Sequence, residues 1–484
     1  MFRVDELIKA TKGRLINHGR FAGIRGISID SRAIKPQYAF IAIRGKNFDG
    51  HDFICEAIKK GACCIIKEAG NKKIMQKAKM LKAAFIEVKD TLKALGDIAR
   101  FQRIKFNIPV IAVTGSNGKT TTKEMIAQVL SKQFKVLKNE GTKNNQIGLP
   151  LTLVNLNSSY DIAVLEVGTN HFGEVKYLTK ICLPNIGIIT NIGPAHLEYL
   201  RNLEGVFGEK YKMIQNLEKP HIGILNADDS LLNKKALMRA QKSISLGFGI
   251  ENQCDFFASN IKMLNGKIEF LVNQKYKFTP LDRRSKIKDA SRHLTGFTLK
   301  TLGHYNIYNA LAAIAVARLF GMEYKDIALR LADFIFPQSR LEFKKVNDIK
   351  FIDDTYNSNP FSLRQALNTL ANFKIAGRKI FVMGDMLELG NSEKMFHYQA
   401  GKKIAKYCDL FITVGKLSRL AATAAKNSGF DSKDIFSCET ITQARDILFN
   451  RISLNKGDLV LIKGSRLMRM EEIFNGVGKY KTLS

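Results

Sequence analysis

Between residues 109 and 229 one pattern is written four times: an apolar, largely β-branched run that gives way to small and polar residues. The runs are Pro109–Gly115 (PVIAVTG), Asp161–Gly168 (DIAVLEVG), Asn185–Gly193 (NIGIITNIG) and Pro220–Asp229 (PHIGILNADD). A strand that is apolar on both faces needs helices on both sides, so the pattern predicts a doubly wound, mostly parallel sheet. The polar ends then gather at one edge, where such sheets bind ligands. An Ala-rich helix from Asn306 to Phe320 closes the region.

The same grammar returns in Ile349–Asn357 (IKFIDDTYN), Lys379–Met386 (KIFVMGDM), Asp409–Gly415 (DLFITVG) and Leu459–Ser465 (LVLIKGS), and predicts a second, Rossmann-like α/β sheet. The first hundred residues mix short apolar stretches (Ile24–Ile29, Ala39–Ile43, Cys63–Ile66) with Gly-rich turns, followed by lysine-rich helical stretches over Lys72–Lys82 and Thr91–Arg103. They read as a small α/β domain. Breaks at Asn107-Ile108-Pro109 and Phe336-Pro337-Gln338 divide the chain into 1–107, 108–336 and 337–484. Its 484 residues suit about three domains at roughly 150 residues each.

Apolar residues make up 45% and charged residues 25%, which excludes a disordered chain. Asp5 and Glu6 stand where a secretory leader needs basic and then apolar residues, and no apolar run is long enough to span a bilayer. A cytoplasmic protein without membrane insertion is expected. Seven cysteines with no C-x-x-C pair suggest neither a disulfide framework nor a zinc site. The net charge of +32 would concentrate phosphorylated partners. The lysines are scattered through ordinary helices, however, and no aromatic-basic motif accompanies them, so no nucleic-acid partner is expected.

The first run leads into Gly115-Ser116-Asn117-Gly118-Lys119-Thr120-Thr121, and a helix follows through Glu124–Leu130. Strand, glycines, lysine and helix in that order make a phosphate-binding loop: backbone N–H groups cradle phosphates, Lys119 meets the β/γ oxygens and Thr120 meets magnesium. Val113 occupies the first glycine position of the strict G-x-x-x-x-G-K-[ST] pattern. Glu166 ends the next strong strand and is the candidate metal carboxylate, although carboxylates at strand ends also cap helices. His196 follows the third run and converges on the same edge. Alone it reads equally as a packed histidine, and Lys210 alone as a solvated helix lysine.

Further stretches bring these residues into one series: Asp30-Ser31-Arg32, Gly45, Asp49-Gly50-His51, Asn144–Gly148, Leu165–Gly168, Asn191–Glu198, Asn306 with Asn309-Ala310-Leu311, Asp353–Pro360, Gly384–Gly390 and Lys463-Gly464-Ser465. In this order they resemble the Mur ligase family over nearly the whole chain, and within it the branch that adds D-Ala-D-Ala to UDP-N-acetylmuramoyl-tripeptide. The resemblance implies three α/β domains: one for the UDP substrate, a central ATPase domain and a C-terminal Rossmann-like domain. It implies an ATP-dependent, cytoplasmic, bacterial enzyme that makes an amide through an acyl phosphate in peptidoglycan precursor synthesis. A monomer is expected. Another Mur-type or folate-polyglutamate-type ligase is the nearest alternative, and a nucleic-acid-dependent NTPase a more distant one.

Residue by residue, the resemblance gives Thr120 and Glu166 one magnesium ion, and His196 and Lys210 a second, with Lys210 carbamylated. Lys119, His196 and Lys210 become the catalytic set. Gly115–Thr121, Asn306, Asn309, Arg340 and Asp354 become ATP contacts. Ser31 and Arg32 match the segment that holds the uridine nucleotide, while Asn145, Asn170, Tyr356, Asn357 and Asn359 surround the peptide and dipeptide. Two positions depart from the pattern: Tyr305, where the family usually has His, and Lys212, where this branch often has Glu.

Overall fold

The computed structural model describes residues 2–19, 23–45, 47–70, 83–233, 244–264, 266–277, 287–288, 294–346, 349–475 and 481–482. The helix expected over Lys72–Lys82 lies outside them. The N-terminal sheet contains β1 (Arg14–Asn17), β2 (Gly26–Ser28), β3 (Tyr38–Ile41), β4 (Ala62–Glu68) and β5 (Ala84–Val88) in the order β1-β5-β4-β3-β2. The run expected over Ile24–Ile29 divides at exposed Arg25. Gly23–Ile24 pairs with Phe2–Arg3, and only Gly26–Ser28 joins the sheet. The helix Thr91–Lys105 follows, capped by the Asp90 side chain, which accepts from Lys93 N.

The central sheet comprises β6 (Val110–Thr114), β7 (Val136–Lys138), β8 (Ile162–Glu166), β9 (Ile186–Ile189), β10 (Ile222–Asn226), β11 (Ile244–Gly249), β12 (Phe256–Leu264), β13 (Lys267–Gln274) and β14 (Thr295–Leu299). Their order is β14-β13-β12-β11-β10-β9-β6-β8-β7. The four predicted runs are β6, β8, β9 and β10, all parallel and all buried. The antiparallel extension through β13 and β14 is an addition to the expected doubly wound sheet. From β6 the chain crosses to β7 on one side, and from the adjacent β8 it crosses past β6 to β9 on the other, so the strand order reverses beside β6 and leaves a crevice at its carboxyl end.

Helices Lys119–Leu130 and Asn306–Leu319 pack together over one face of this sheet. Asn306–Leu319 is apolar almost all round, as a helix between two layers must be. Ile307, Leu311 and Ile314 are fully buried there, each contributing about 1.5–3 kcal/mol by leaving water.

The C-terminal sheet holds β15 (Glu342–Val346), β16 (Ile349–Asp354), β17 (Lys379–Gly384), β18 (Leu410–Val414), β19 (Ile435–Cys438), β20 (Leu459–Lys463) and β21 (Lys481–Thr482) in the order β19-β18-β17-β20-β16-β15-β21. The four predicted runs are β16, β17, β18 and β20, and they are parallel. The carboxyl ends of β16 and β20 meet the crevice of the central sheet across a shared cleft. Among the described residues no helix is long and apolar enough to cross a membrane.

Candidate active site

The cleft between the central and C-terminal sheets encloses about 340 Å³ and is lined from both sides. Its floor is the loop after β6. Gly115 has φ +148° and Gly118 φ +80°, and each packs too closely for a side chain. A Cβ on Gly115 would lie 1.9 Å from Thr190 Oγ1, and one on Gly118 2.5 Å from Asn309 Oδ1. The loop therefore needs glycine for both conformation and space. Ser116 donates through Oγ to Gly193 O at 3.0 Å, and Asn117 N donates to Asn191 Oδ1 at 3.0 Å, so the loop after β9 braces it. Val113 is a buried strand residue.

Lys119 opens the helix, and its Nζ donates to the Gly115 carbonyl at 2.9 Å and to that of Ser116 at 3.4 Å. Burial holds its ammonium below the ordinary lysine range; Glu166 opposes that shift and Arg340 adds to it. Thr120 Oγ1 accepts from Arg340 Nη2 at 3.2 Å, and the Arg340 guanidinium sits 3.9 Å above the Tyr356 ring.

The parallel register sets Glu166 opposite Val113 and so beside the loop. Its side chain is buried. Asn144 Nδ2 donates to Oε1 at 2.6 Å and Glu166 N donates to Asn139 Oδ1 at 2.8 Å, while among the described residues Oε2 has no partner. A buried carboxylate oxygen left open beside a phosphate loop suits a hard divalent cation. Lys123 supports this arrangement from below by donating to the carbonyl oxygens of Asn139 at 2.5 Å and Gly141 at 3.0 Å.

His196 adopts φ +55° at the start of the short helix Leu197–Leu200, and its Nδ1 lies 2.6 Å from Glu388 Oε2. Burial keeps the imidazole below the ordinary histidine range, with Glu388 opposing that shift. Lys210 sits within Leu203–Gln215 at 1% exposure. Burial, reinforced by the Lys119 charge, drives its amine well below the lysine range against the pull of Glu209. A neutral amine is nucleophilic, as an ordinary surface lysine is not.

The remaining candidates fall into distinct places. Thr122 Oγ1 donates to Asn309 Oδ1 at 3.0 Å, Asn309 Nδ2 to Asn306 Oδ1 at 2.9 Å, and Asn306 Nδ2 to Thr301 Oγ1 at 2.9 Å. Asn306 and Asn309 thus lie buried behind the loop, and the cleft wall in front of them is Tyr305. Asp354 pairs with Lys463, while Asn170, Tyr356, Asn357 and Asn359 line the cleft. Asn359 caps the helix Pro360–Asn372 and also donates through Nδ2 to Asn117 Oδ1 at 2.9 Å. Asn145 instead spends its side-chain Oδ1 on Ile147 N and Gly148 N, and its neighbour Asn144 is the one that lines the cleft. Ser31 and Arg32 are in the N-terminal domain, outside this cleft: Ser31 Oγ donates to Glu56 at 3.2 Å, and exposed Arg32 pairs with Asp30 at 2.8 Å.

Comparison with known proteins covers all three sheets. The Mur ligase family catalytic domain matches residues 23–103, the Mur ligase middle domain residues 113–317, and the Mur ligase glutamate ligase domain residues 339–466. The chain belongs to the Mur ligase family. Over 93% of its length it is 36% identical to the UDP-N-acetylmuramoyl-tripeptide–D-alanyl-D-alanine ligase of Buchnera aphidicola subsp. Baizongia pistaciae, of which 91% is covered. The Bacillus subtilis ligase of the same name is 33% identical, with 97% of each chain covered. The crystal structure of MurF from Acinetobacter baumannii superposes with a TM-score of 0.86 at 29% identity, covering 98% of both chains. That of Thermotoga maritima MurF in complex with ADP gives 0.77 at 28% identity, covering 93% of this chain and 96% of the other.

Both departures from the pattern of this Mur ligase branch lie beside the centre. Lys212 is turned away from Lys210, pairing with Glu209 and sitting 5.8 Å above the Phe172 ring. Glu209 in turn accepts from Gly173 N and Val175 N at the start of the helix Glu174–Cys182. Tyr305 presents a half-buried ring to the cleft, and its hydroxyl is pushed above the ordinary tyrosine range by desolvation and by the Asp354 charge. Glu388 and Lys463 are cleft residues that sequence reasoning did not single out, though both lie in stretches that carry the family resemblance.

Proposed function

We propose that this Mur ligase joins the terminal carboxylate of UDP-N-acetylmuramoyl-tripeptide to the amine of D-Ala-D-Ala, with conversion of ATP to ADP and phosphate. The observation that carries the reading is the open Glu166 oxygen beside the phosphate loop, in a chain similar over its full length to ligases of that name. The tripeptide carboxylate attacks the γ-phosphorus and ADP leaves. The dipeptide amine then attacks the acyl carbon, phosphate leaves, and a proton is lost as the amide forms.

Each residue has a part in this. Lys119 leaves the Gly115 carbonyl and follows the β/γ oxygens, while the N-terminus of its helix favours the phosphates. Arg340, steadied by the Tyr356 ring, neutralises charge next to Thr120. Asn306 and Asn309 hold the adenine side of the loop, and Asp354 meets the ribose. Ser31 and Arg32 bind the uridine nucleotide, while Asn170, Tyr356, Asn357 and Asn359 enclose the peptide and dipeptide, with Asn145 shaping the turn beside them. Positioning of this kind, with charge neutralisation, is what phosphoryl transfer needs from a protein.

Thr120 and Glu166 would hold one magnesium ion, and His196 with carbamylated Lys210 a second, supplying charge neutralisation at the phosphoryl group. The neutral Lys210 amine suits carbamylation: it adds CO2, releases a proton and becomes an oxygen donor. We take the chain to act as a cytoplasmic monomer divided near residues 107 and 336, with no nucleic-acid partner. Purified protein with ATP, magnesium and both substrates should yield ADP and amide product one for one. ADP without product under those conditions would rule this reading out.

A further inference from the structure

We propose that Glu388, carried by the C-terminal domain, is a positioning residue for His196 that acts only while that domain is closed over the phosphate loop. The catalytic consequence rests on the ligase reading above; the structural claim does not.

The two residues are 192 apart in sequence and belong to loops of different sheets, yet His196 Nδ1 and Glu388 Oε2 are 2.6 Å apart. An ionised carboxylate only accepts, so Nδ1 carries the hydrogen and Nε2 keeps its lone pair. Among the described residues this is the one hydrogen bond of the His196 ring. Among the described residues, therefore, no hydrogen bond from within the central domain selects the tautomer.

Both residues also occupy the left-handed region, with φ +55° at His196 and +63° at Glu388. Non-glycine residues go there at a cost, and surrounding contacts must hold them. On the Glu388 side the holding is visible: Met386 N donates to His397 Nε2 at 3.0 Å and Leu387 N to Ser465 Oγ at 2.8 Å. The loop then docks on the segment that His196 begins. Glu198 N donates to the Glu388 carbonyl at 3.2 Å, and a Cβ on Gly390 would come within 3.0 Å of Glu198 Cα.

Separation of the C-terminal domain breaks this contact and leaves the imidazole free to rotate and to exchange tautomers. Closure restores one ring orientation with Nε2 available as a donor atom. Acid partners that fix a histidine in this way are worth about tenfold to a hundredfold in metal affinity or activity. Coupling His196 to closure would also keep ATP from reacting before the acceptor arrives.

The test uses full-length protein labelled with 15N-histidine and saturated with ADP in magnesium-free buffer, so that no metal on Nε2 fixes the tautomer, in wild-type, Glu388→Ala and Glu388→Gln forms. In the wild type the His196 signals should report a protonated Nδ1; in Glu388→Ala they should shift to a tautomer mixture, and Glu388→Gln, which keeps an acceptor, should restore part of the preference. In turnover, kcat should fall at least tenfold in Glu388→Ala with KM for ATP within twofold. Adding Glu388→Ala to a His196→Ala background should cost nothing further. Unchanged His196 signals in Glu388→Ala, or additive losses in the double variant, would overturn the proposal. A wild type that makes no amide would sink the ligase reading while leaving the tautomer comparison intact.

Discussion

Lys463 Nζ lies 2.6 Å from Asp354 Oδ2 at the carboxyl ends of β20 and β16, where the two residues are register partners on adjacent parallel strands. Lys463 donates again to the Asn357 carbonyl at 2.8 Å, so one buried ammonium fixes both the carboxylate and the cleft loop that follows it. Replacing Lys463 with Met strips the buried carboxylate of its ion-pair partner and leaves it only the Leu341 N–H and the more distant Arg340 charge, and breaking a buried pair in this way costs about 3–5 kcal/mol. Calorimetry should show a clearly lower melting temperature, and the double variant with Asp354→Asn should recover much of it. A Lys463→Met protein that melts with the wild type would mean the pair contributes nothing.

Glu166→Gln separates folding from chemistry. The amide keeps the size of the side chain and an oxygen for Asn144 Nδ2, but removes charge from a buried group whose second oxygen has no partner. Melting temperature should hold or rise, because a buried negative charge with one unpartnered oxygen is removed. The kcat for ATP turnover should drop by about 100-fold, as it does when a group aimed at transition-state charge is lost. Retained turnover would remove Glu166 from the metal set.

The parallel strands were legible because strands covered on both faces are written as continuous apolar runs, as in Val110–Thr114 and Leu459–Lys463. The antiparallel extension went unread, although Ile268, Phe270 and Val272 alternate with less buried neighbours along β13 in the period of a half-covered strand. For the site, Gly115 to Thr121 announced itself because loop, lysine and helix are contiguous in sequence. The links from Glu388 to His196 and from Asn359 to Asn117 join residues 192 and 242 apart, and only the packing of two domains creates them. Asn145 shows the converse: a polar residue inside a conspicuous stretch can be consumed by its own turn.

Lys210 should leave a pH signature in stability. Its folded pKa lies well below 10.5 because burial disfavours the charged form. Between that depressed value and 10.5 the unfolded chain therefore binds a proton that the folded protein does not, so stability from this group rises with pH across the window. Lys210→Met removes the titration. In CO2-free buffer the variant should be more stable than the wild type at neutral pH, and the advantage should shrink as pH rises toward 10.5. A constant difference would mean Lys210 is not buried neutral. The same substitution should nearly abolish turnover, and for Lys210→Ala added short-chain carboxylic acids should restore part of it.

Asn359 does two things that substitution can separate. Its Oδ1 accepts from Ser362 N to cap the helix Pro360–Asn372, and its Nδ2 reaches Asn117 in the phosphate loop. Asn359→Ala loses both, at about 1 kcal/mol for the cap alone. Asn359→Ser keeps a capping oxygen but is too short to span to Asn117, so its melting temperature should stay near that of the wild type. If the contact helps hold the C-terminal domain closed, losing a hydrogen bond worth about 1 kcal/mol should raise KM for ATP about fivefold. It should also weaken the contraction seen by solution scattering when nucleotide and acceptor bind. A Ser variant that matches the wild type in both measurements would leave the Asn117 contact without a part in closure, and Arg340 on Thr120 would then be the polar contact to the loop to test next.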